Sequence, residues 1–211
     1  MPSKRIVIFG ATGGTGQTLT RQALDRGHTV TAFVRDPARL PIRHDRLHLV
    51  QGDVLRPETL PDALRNQDAV LCALGRKPFA SDPVCSVGTK HVLDEMARQG
   101  VGPIVVESSV GVGDSFAQCG GFQKFLFSTL LRSYFADKAI QEQHVRASQL
   151  DWTIVRPVVL TNGPATDSLR ADTDVCFRGF DSPSVSRADV ARFMLDQLDQ
   201  LAFRHQCPIL Y

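Results

Sequence analysis

Three glycines at a spacing of three, Gly10, Gly13 and Gly16, follow the apolar run Ile6-Val7-Ile8-Phe9 and lead straight into residues with helical spacing. Strand, G-x-x-G-x-x-G turn and helix in that order form a cradle for phosphate. Gly10 permits the sharp turn, Gly13 lets the backbone approach an anion, Gly16 seats helix on strand, and the first helical amides point at the charge. Gly10, Thr12, Gly13, Gly14, Thr15 and Gly16 are therefore expected to hold the pyrophosphate of a dinucleotide. A purely structural glycine turn is the alternative, and the flanking strand and helix argue against it.

Further along, Val34-Arg35-Asp36 closes the second apolar run, where a site selective for NAD usually carries an acid for the ribose 2′-hydroxyl. A guanidinium there pairs instead with a 2′-phosphate, so Arg35, with Arg39 as a second cation, points to NADP (NADPH). Solvated surface arginines are the other reading, and Asp36 competes for Arg35. In Gly52-Asp53-Val54, Asp53 is placed to accept from the adenine amine and Val54 to pack on the ring; equally, Asp53 caps the next helix. Ala73-Leu74-Gly75 offers small residues where ribose and pyrophosphate pass. Ser108 and Ser109 follow a fifth apolar run, and Tyr134 and Lys138 stand at i and i+4, on one face of a helix. A phenol of ordinary pKa about 10 needs a nearby cation to move protons near neutrality, which makes the pair coherent as acid and activator.

These residues need a scaffold, and the chain of 211 residues alternates short β-branched runs with helical stretches, as a parallel sheet covered on both faces does. The expected fold is α/β, one Rossmann-type doubly wound domain over residues 1–211. The strands are Arg5–Phe9, Thr29–Val34, Leu47–Gln51, Ala69–Ala73, Ile104–Glu107 and Thr153–Val155; the helices are Thr15–Arg26, Val87–Arg98, Asp137–Ser148 and Arg187–Leu201. Right-handed crossovers give the order 3-2-1-4-5-6, with ligands over the carboxyl ends of strands 1 and 4. Residues 111–133, glycine-rich and then apolar through Phe125, Phe127, Leu130 and Leu131, read as a helix packed on the core, a lid, or a contact for a protein partner or second copy. Residues 161–186 read as a substrate-side insertion.

Hydrophobic residues at 43% and charged residues at 22% exclude wholesale disorder. With 24 Lys+Arg against 22 Asp+Glu, the net charge of +2 argues against nucleic acid as the main partner. No apolar run reaches the roughly 20 residues of a membrane span, and the first residues do not read as a secretion signal, so the expectation is a cytoplasmic protein. Cys72, Cys85, Cys119, Cys176 and Cys207 lack a C-x-x-C pair and read as reduced thiols; the histidines show no metal spacing, so no metal is expected.

The glycine turn, Val34-Arg35-Asp36, Gly52-Asp53-Val54, Glu107-Ser108-Ser109, Leu150-Asp151-Trp152-Thr153-Ile154-Val155-Arg156-Pro157 and Ser186-Arg187-Ala188-Asp189 together resemble the atypical short-chain dehydrogenase/reductases. The likeness is to the small NAD(P)H-binding, NmrA-like branch near biliverdin reductase B/flavin reductase, and it runs over nearly the whole chain. It implies Ser108 and Pro157 beside the cofactor, Ser109 steadying the substrate oxygen, Tyr134 as general acid, and Lys138 holding the nicotinamide ribose while lowering the phenol pKa. The implied activity is hydride transfer from NADPH to a small-molecule acceptor such as a flavin or quinone; the alternative is a sensor or assembly factor that binds the dinucleotide without turnover. Where flavin and bilin reductases of the branch carry a histidine, this chain has Val158-Val159-Leu160, which argues against a bilin. An epimerase or dehydratase fits less well, because little chain remains for a sugar-nucleotide domain.

Overall fold

A computed structural model describes residues 2–76, 82–175, 177, 183–200 and 202–211. The apolar runs pair as parallel strands: β1 (Arg5–Phe9) lies between β2 (Thr29–Val34) and β4 (Ala69–Cys72), with β3 (Leu47–Gln51) outside β2, and β5 (Ile104–Glu107) and β6 (Trp152–Pro157) beyond β4. This is the expected order 3-2-1-4-5-6. The sheet continues past β6 with two short strands that have no signature in the sequence, β10 (Ile209–Leu210), parallel to β6, and β8 (Ala171–Asp172), antiparallel to β10. Two residues carry no periodicity; Ile209 and Leu210 become a strand because Arg156 and Pro157 offer them a free edge.

Alternate residues of β1 feed two cores. Ile6 and Ile8 pack with Leu19 of α1 (Gly14–Asp25) and Met194 of α6 (Arg187–Gln200), whereas Val7 and Phe9 pack with Val92 and Met96 of α3 (Ser86–Gln99) and Val145 of α5 (Arg132–Ala147). Both faces of the strand are dry, as a parallel sheet under two helical layers requires. The four-residue helix α2 (Pro61–Leu64) adds Ala63 and Leu64 to the second core. The end of the last expected helix, Leu201, and Cys176 lie outside the described residues; Cys72, Cys85, Cys119 and Cys207 are free thiols.

α5 starts five residues before its expected start at Asp137, and so takes in Tyr134 as well as Lys138. Its amphipathic pattern is weak because four of its five buried residues are polar: Asp137, Lys138, Gln141 and Glu142, beside Val145. Each has a defined partner. The Asp137 carboxylate accepts from the amides of Cys85 (3.1 Å) and Ser86 (3.0 Å), capping α3 from a neighbouring helix, since Cys85 has no capping side chain of its own. Glu142 accepts from Arg156 of β6 at 3.0 and 2.6 Å, and Arg156 also reaches Asp114.

Residues 111–133 form a 3-10 turn (Gly113–Gln118) and the short helix α4 (Gly121–Ser128). Phe127 stacks on Phe135 of α5, with ring centroids 4.2 Å apart, and a side chain at Gly111 (φ +91°) would collide with it at 2.6 Å. Arg156 and Arg146 hold Asp114 from below. The segment thus packs on α5 through the Phe127–Phe135 ring pair. Residues 161–186 contribute β8 and β9 (Ser184–Ser186); β9 pairs in parallel with β7 (Val159–Thr161).

Arg156 and Glu142 are both buried, whereas the Asp114 side chain is 66% exposed. Glu142→Gln leaves a buried guanidinium without its main counter-charge and should cost about 3 kcal/mol, while Asp114→Asn should cost about 1 kcal/mol or less. Equilibrium denaturation of both variants checks this; equal losses would show that the pair is not the anchor.

Candidate functional site

At the carboxyl edge of the sheet a cavity of about 580 Å³ opens over β1 and β4, within the size range of cofactor pockets. Its floor is the glycine turn. Gly10 has φ +79°, and a Cβ there would lie 2.3 Å from the Ala73 carbonyl oxygen; at Gly16 a Cβ would lie 2.1 Å from the Gly10 oxygen. Both positions exclude a side chain, and together they press α1 against the ends of β1 and β4. Gly10, Thr12, Gly13, Gly14 and Thr15 line the cavity; Gly16 does not, because it is taken up by the helix–strand contact.

At one end, Arg35 and Arg39 face the cavity, Arg35 exposed and Arg39 beside it on the turn Pro37–Arg39. Asp36, the competitor for Arg35, accepts instead from the Ala38 amide at 3.0 Å and caps that turn. Phe33, Gly52 and Val54 form the adjoining wall. Asp53 does not line it. Its carboxylate accepts from the Leu55 amide at 3.0 Å, within a turn fastened by Thr59. Ala73, Leu74, Gly75 and Pro157 also line the cavity.

The chemistry end gathers Ser108, Ser109, Tyr134 and Lys138. The Ser109 hydroxyl donates to the Val110 carbonyl at 3.1 Å. Ser108, 4% exposed, has no partner for its hydroxyl among the described residues, an orphan that a bound molecule would satisfy. Lys138 is buried and donates to the carbonyl oxygens of Glu107 (2.9 Å), Leu74 (3.3 Å) and the Gln141 side chain (3.4 Å). All three of its protons are used, and the ammonium stands 5.9 Å from the Tyr134 ring centre. Burial draws the ammonium down, but Tyr134, Cys85, Glu107 and Cys72 outweigh that and keep it above the ordinary lysine value. Burial also pushes the Tyr134 phenol up, more than Lys138 pulls it down. Lys138 thus fastens the ends of β4 and β5 to α5 while remaining on the cavity wall beside Tyr134.

Three charged residues of the wall carry no signal of their own in the sequence. Glu107 ends β5 and accepts from the Thr15 hydroxyl at 2.9 Å; burial pushes its carboxyl up, against Lys138, the Thr15 hydrogen bond and Arg187. Arg76 donates to Ser133 at 2.6 Å, and Arg187 heads α6 and donates to Asn162 at 2.7 Å. In the sequence Arg187 is only part of a helix start, and no local pattern shows that this start faces the glycine turn. Among the described residues, the cavity wall carries the cations Arg35, Arg39, Arg76, Lys138 and Arg187 against the acids Asp82 and Glu107, a balance suited to an anion.

The sequence pattern of a family described as NAD(P)H-binding matches residues 10–201. The chain belongs to that family. Within it, the chain is of the atypical short-chain dehydrogenase/reductase, NmrA-like type and carries an oxidoreductase fold. An uncharacterised chloroplast protein of Arabidopsis thaliana is 32% identical over 209 residues, covering 94% of this chain and 73% of that protein. The photosystem II assembly factor Ycf39 of Synechocystis is 28% identical over 160 residues, 72% of this chain but 44% of the factor. Among solved structures, the anaerobilin reductase ChuY of Escherichia coli O157:H7 superposes with a TM-score of 0.81 at 25% identity, covering 98% of this chain and 96% of that one. No helix among the described residues is long and apolar enough to cross a membrane.

Because burial favours the neutral phenol, the stability due to Tyr134 is whole below the free phenol value near 10 and declines as pH rises above it. Phenolate absorbance should show one of the two tyrosines, Tyr134 and Tyr211, titrating late, and Tyr134→Phe should remove that step. A Tyr134 phenolate forming below the free value would mean that Lys138 activates it after all.

Proposed function

We propose that the protein is an NADPH-dependent reductase acting on a flat small-molecule acceptor, a flavin or quinone. The observation that carries this reading is one continuous cavity, running from Arg35 and Arg39 past the glycine turn to Ser109, Tyr134 and an apolar wall of Val84, Val158 and Leu160. The dinucleotide, when bound, supplies the hydride. Around it the chain's own residues bind and orient: Gly10 and Thr12 to Thr15 take the pyrophosphate, Arg35 and Arg39 the 2′-phosphate, Val54 the adenine, and Ala73, Leu74, Gly75, Ser108 and Pro157 the remaining length. Ser109 steadies the acceptor, and Tyr134, kept neutral by its burial, offers it a proton. The apolar wall suits a planar ring and keeps water off its face. That ChuY is a reductase on the same fold supports the reading at the level of reaction type. A reducing compartment, the cytoplasm, belongs to this reading because the four described cysteines are free.

A second reading rests on a separate observation: Phe125 and Leu130, on and just beyond α4, are 66% and 64% exposed, an apolar surface that suits a protein partner or second copy. Ycf39, an assembly factor in its own organism, gives that reading a precedent.

If Arg35 pairs with a 2′-phosphate, Arg35→Ala should lose about tenfold to a hundredfold in NADPH affinity, the worth of one charge-assisted pair, with NADH affinity unchanged. Titration of both cofactors decides it, and unchanged selectivity would assign Arg35 to solvent.

An enzyme should oxidise NADPH with saturation in flavin mononucleotide or a simple quinone, and Ser109→Ala should slow it. Tight NADPH binding with no oxidation across flavins, quinones, bilins and carbonyls, together with cofactor-dependent hydrogen exchange in residues 111–133, would establish the sensor instead.

A further inference from the structure

Gly14 is the first residue of α1, and a Cβ built on it would lie 2.7 Å from Nε and 2.9 Å from Cδ of Arg187. The third nearest atom is the Arg187 guanidinium carbon at 3.4 Å, so the room left by this glycine is filled by the arginine. Arg187 therefore packs against the first residue of a twelve-residue helix, whose first turn holds no acidic residue. A cation at the positive end of a helix is repelled, where an anion would be attracted.

No carboxylate among the described residues pairs with Arg187 to neutralise this meeting of positive charges. Its hydrogen bond goes to the Asn162 amide oxygen, a neutral acceptor. Asp189, two residues on, is taken up by Thr166, Ser186 and Arg192. Glu107 feels Arg187, but its carboxyl accepts from Thr15, is shared with the field of Lys138, and is pushed by burial toward its neutral form. On the same cavity wall the Ser108 hydroxyl, 4% exposed, lacks a partner among the described residues, a second and independent sign that a polar ligand belongs here.

We infer that Arg187 is the second jaw of the pyrophosphate site: the dianionic bridge of the dinucleotide lies between the α1 N-terminus and the Arg187 guanidinium, which Asn162 holds in place. This rests on the dinucleotide reading above and adds a residue to it. It also gives the segment from β7 to α6 a role. Asn162 follows β7 and Arg187 follows β9, and the pairing of these two strands brings the amide and the guanidinium together. The far half of the chain thereby closes over a cofactor bound by the near half.

The test uses the full chain and three probes: NADP, 2′-phospho-ADP-ribose, which keeps the pyrophosphate but lacks nicotinamide, and 2′-AMP, which has no pyrophosphate. Arg187→Gln should weaken the first two alike by about tenfold or more, as loss of a charge-assisted contact does, and leave 2′-AMP within about twofold. Gly14→Ala, which displaces the arginine, should repeat the pattern, and Arg187→Lys should recover part of the loss. The ligand-free melting temperature of Arg187→Gln should change little, since the arginine makes no ion pair among the described residues and glutamine can still donate toward Asn162. Unchanged NADP affinity in Arg187→Gln overturns the inference while leaving the dinucleotide reading intact. So does a loss confined to the KM of the acceptor, which would move Arg187 to the substrate side, or an equal loss for 2′-AMP, which would mark general damage. Failure of the wild-type chain to bind NADP or NADPH would remove both the inference and the reading beneath it.

Discussion

The ammonium of Lys138 is the point on which the site hangs. It donates to Leu74 beyond the end of β4, to Glu107 at the end of β5 and to Gln141 on its own helix, so one buried charge joins two strand ends to α5. Glu107 passes the connection on through its side chain to Thr15 in the first turn of α1. The carboxyl ends of parallel strands carry carbonyls without a strand partner, and a buried carbonyl left unpaired costs more than an ordinary hydrogen bond contributes. This explains why a lysine on the cavity wall is tied to three carbonyl oxygens of the fold.

Two groups of charged residues differ in how they are satisfied. Arg156 and Asp137 are satisfied within the protein, whereas Arg35 and Arg39 stand at the rim and Arg187 leans on a helix terminus of its own sign. The first pair serves the fold and has found partners of opposite charge or polarity; Arg35, Arg39 and Arg187 make no ion pair with a carboxylate among the described residues, and Glu107 acts on Arg187 only through its field. In a pocket with low-dielectric walls, such unmatched positive potential concentrates anionic ligands, and this bears on any anion of suitable length before particular hydrogen bonds are considered.

The two segments expected to form the substrate side take different places. Residues 111–133 are fastened to α5 by the Phe127–Phe135 stack and to β6 through Asp114 and Arg156, and none of the described side chains among them lines the main cavity. Of residues 161–186, several of the described ones border a separate small cavity of about 260 Å³ with Tyr211, while their flanking neighbours Leu160 and Arg187 reach the main one. The insertion therefore influences the site through its ends.

The sheet order, the place of the cavity and most of its lining were legible in the amino-acid sequence. They depend on local signals: β-branched runs of strand length, a glycine turn whose spacing admits one backbone path, and helices whose period shows their buried face. The position of Arg35 was legible for the same reason, since the end of β2 is fixed by the run before it. What the charged residues do was settled only by the packing of distant elements. Asp53 and Lys138 have the right types in the right elements, yet Asp53 turns to its own loop and Lys138 to three carbonyls, because a buried polar group binds whichever partners the packing brings nearest. Arg187 was invisible as a site residue: 173 positions separate it from Gly14, and only the docking of α6 beside α1 gives the two a common surface. Periodicity is written along the chain, but the partner of a charge is set by contacts between elements far apart in it.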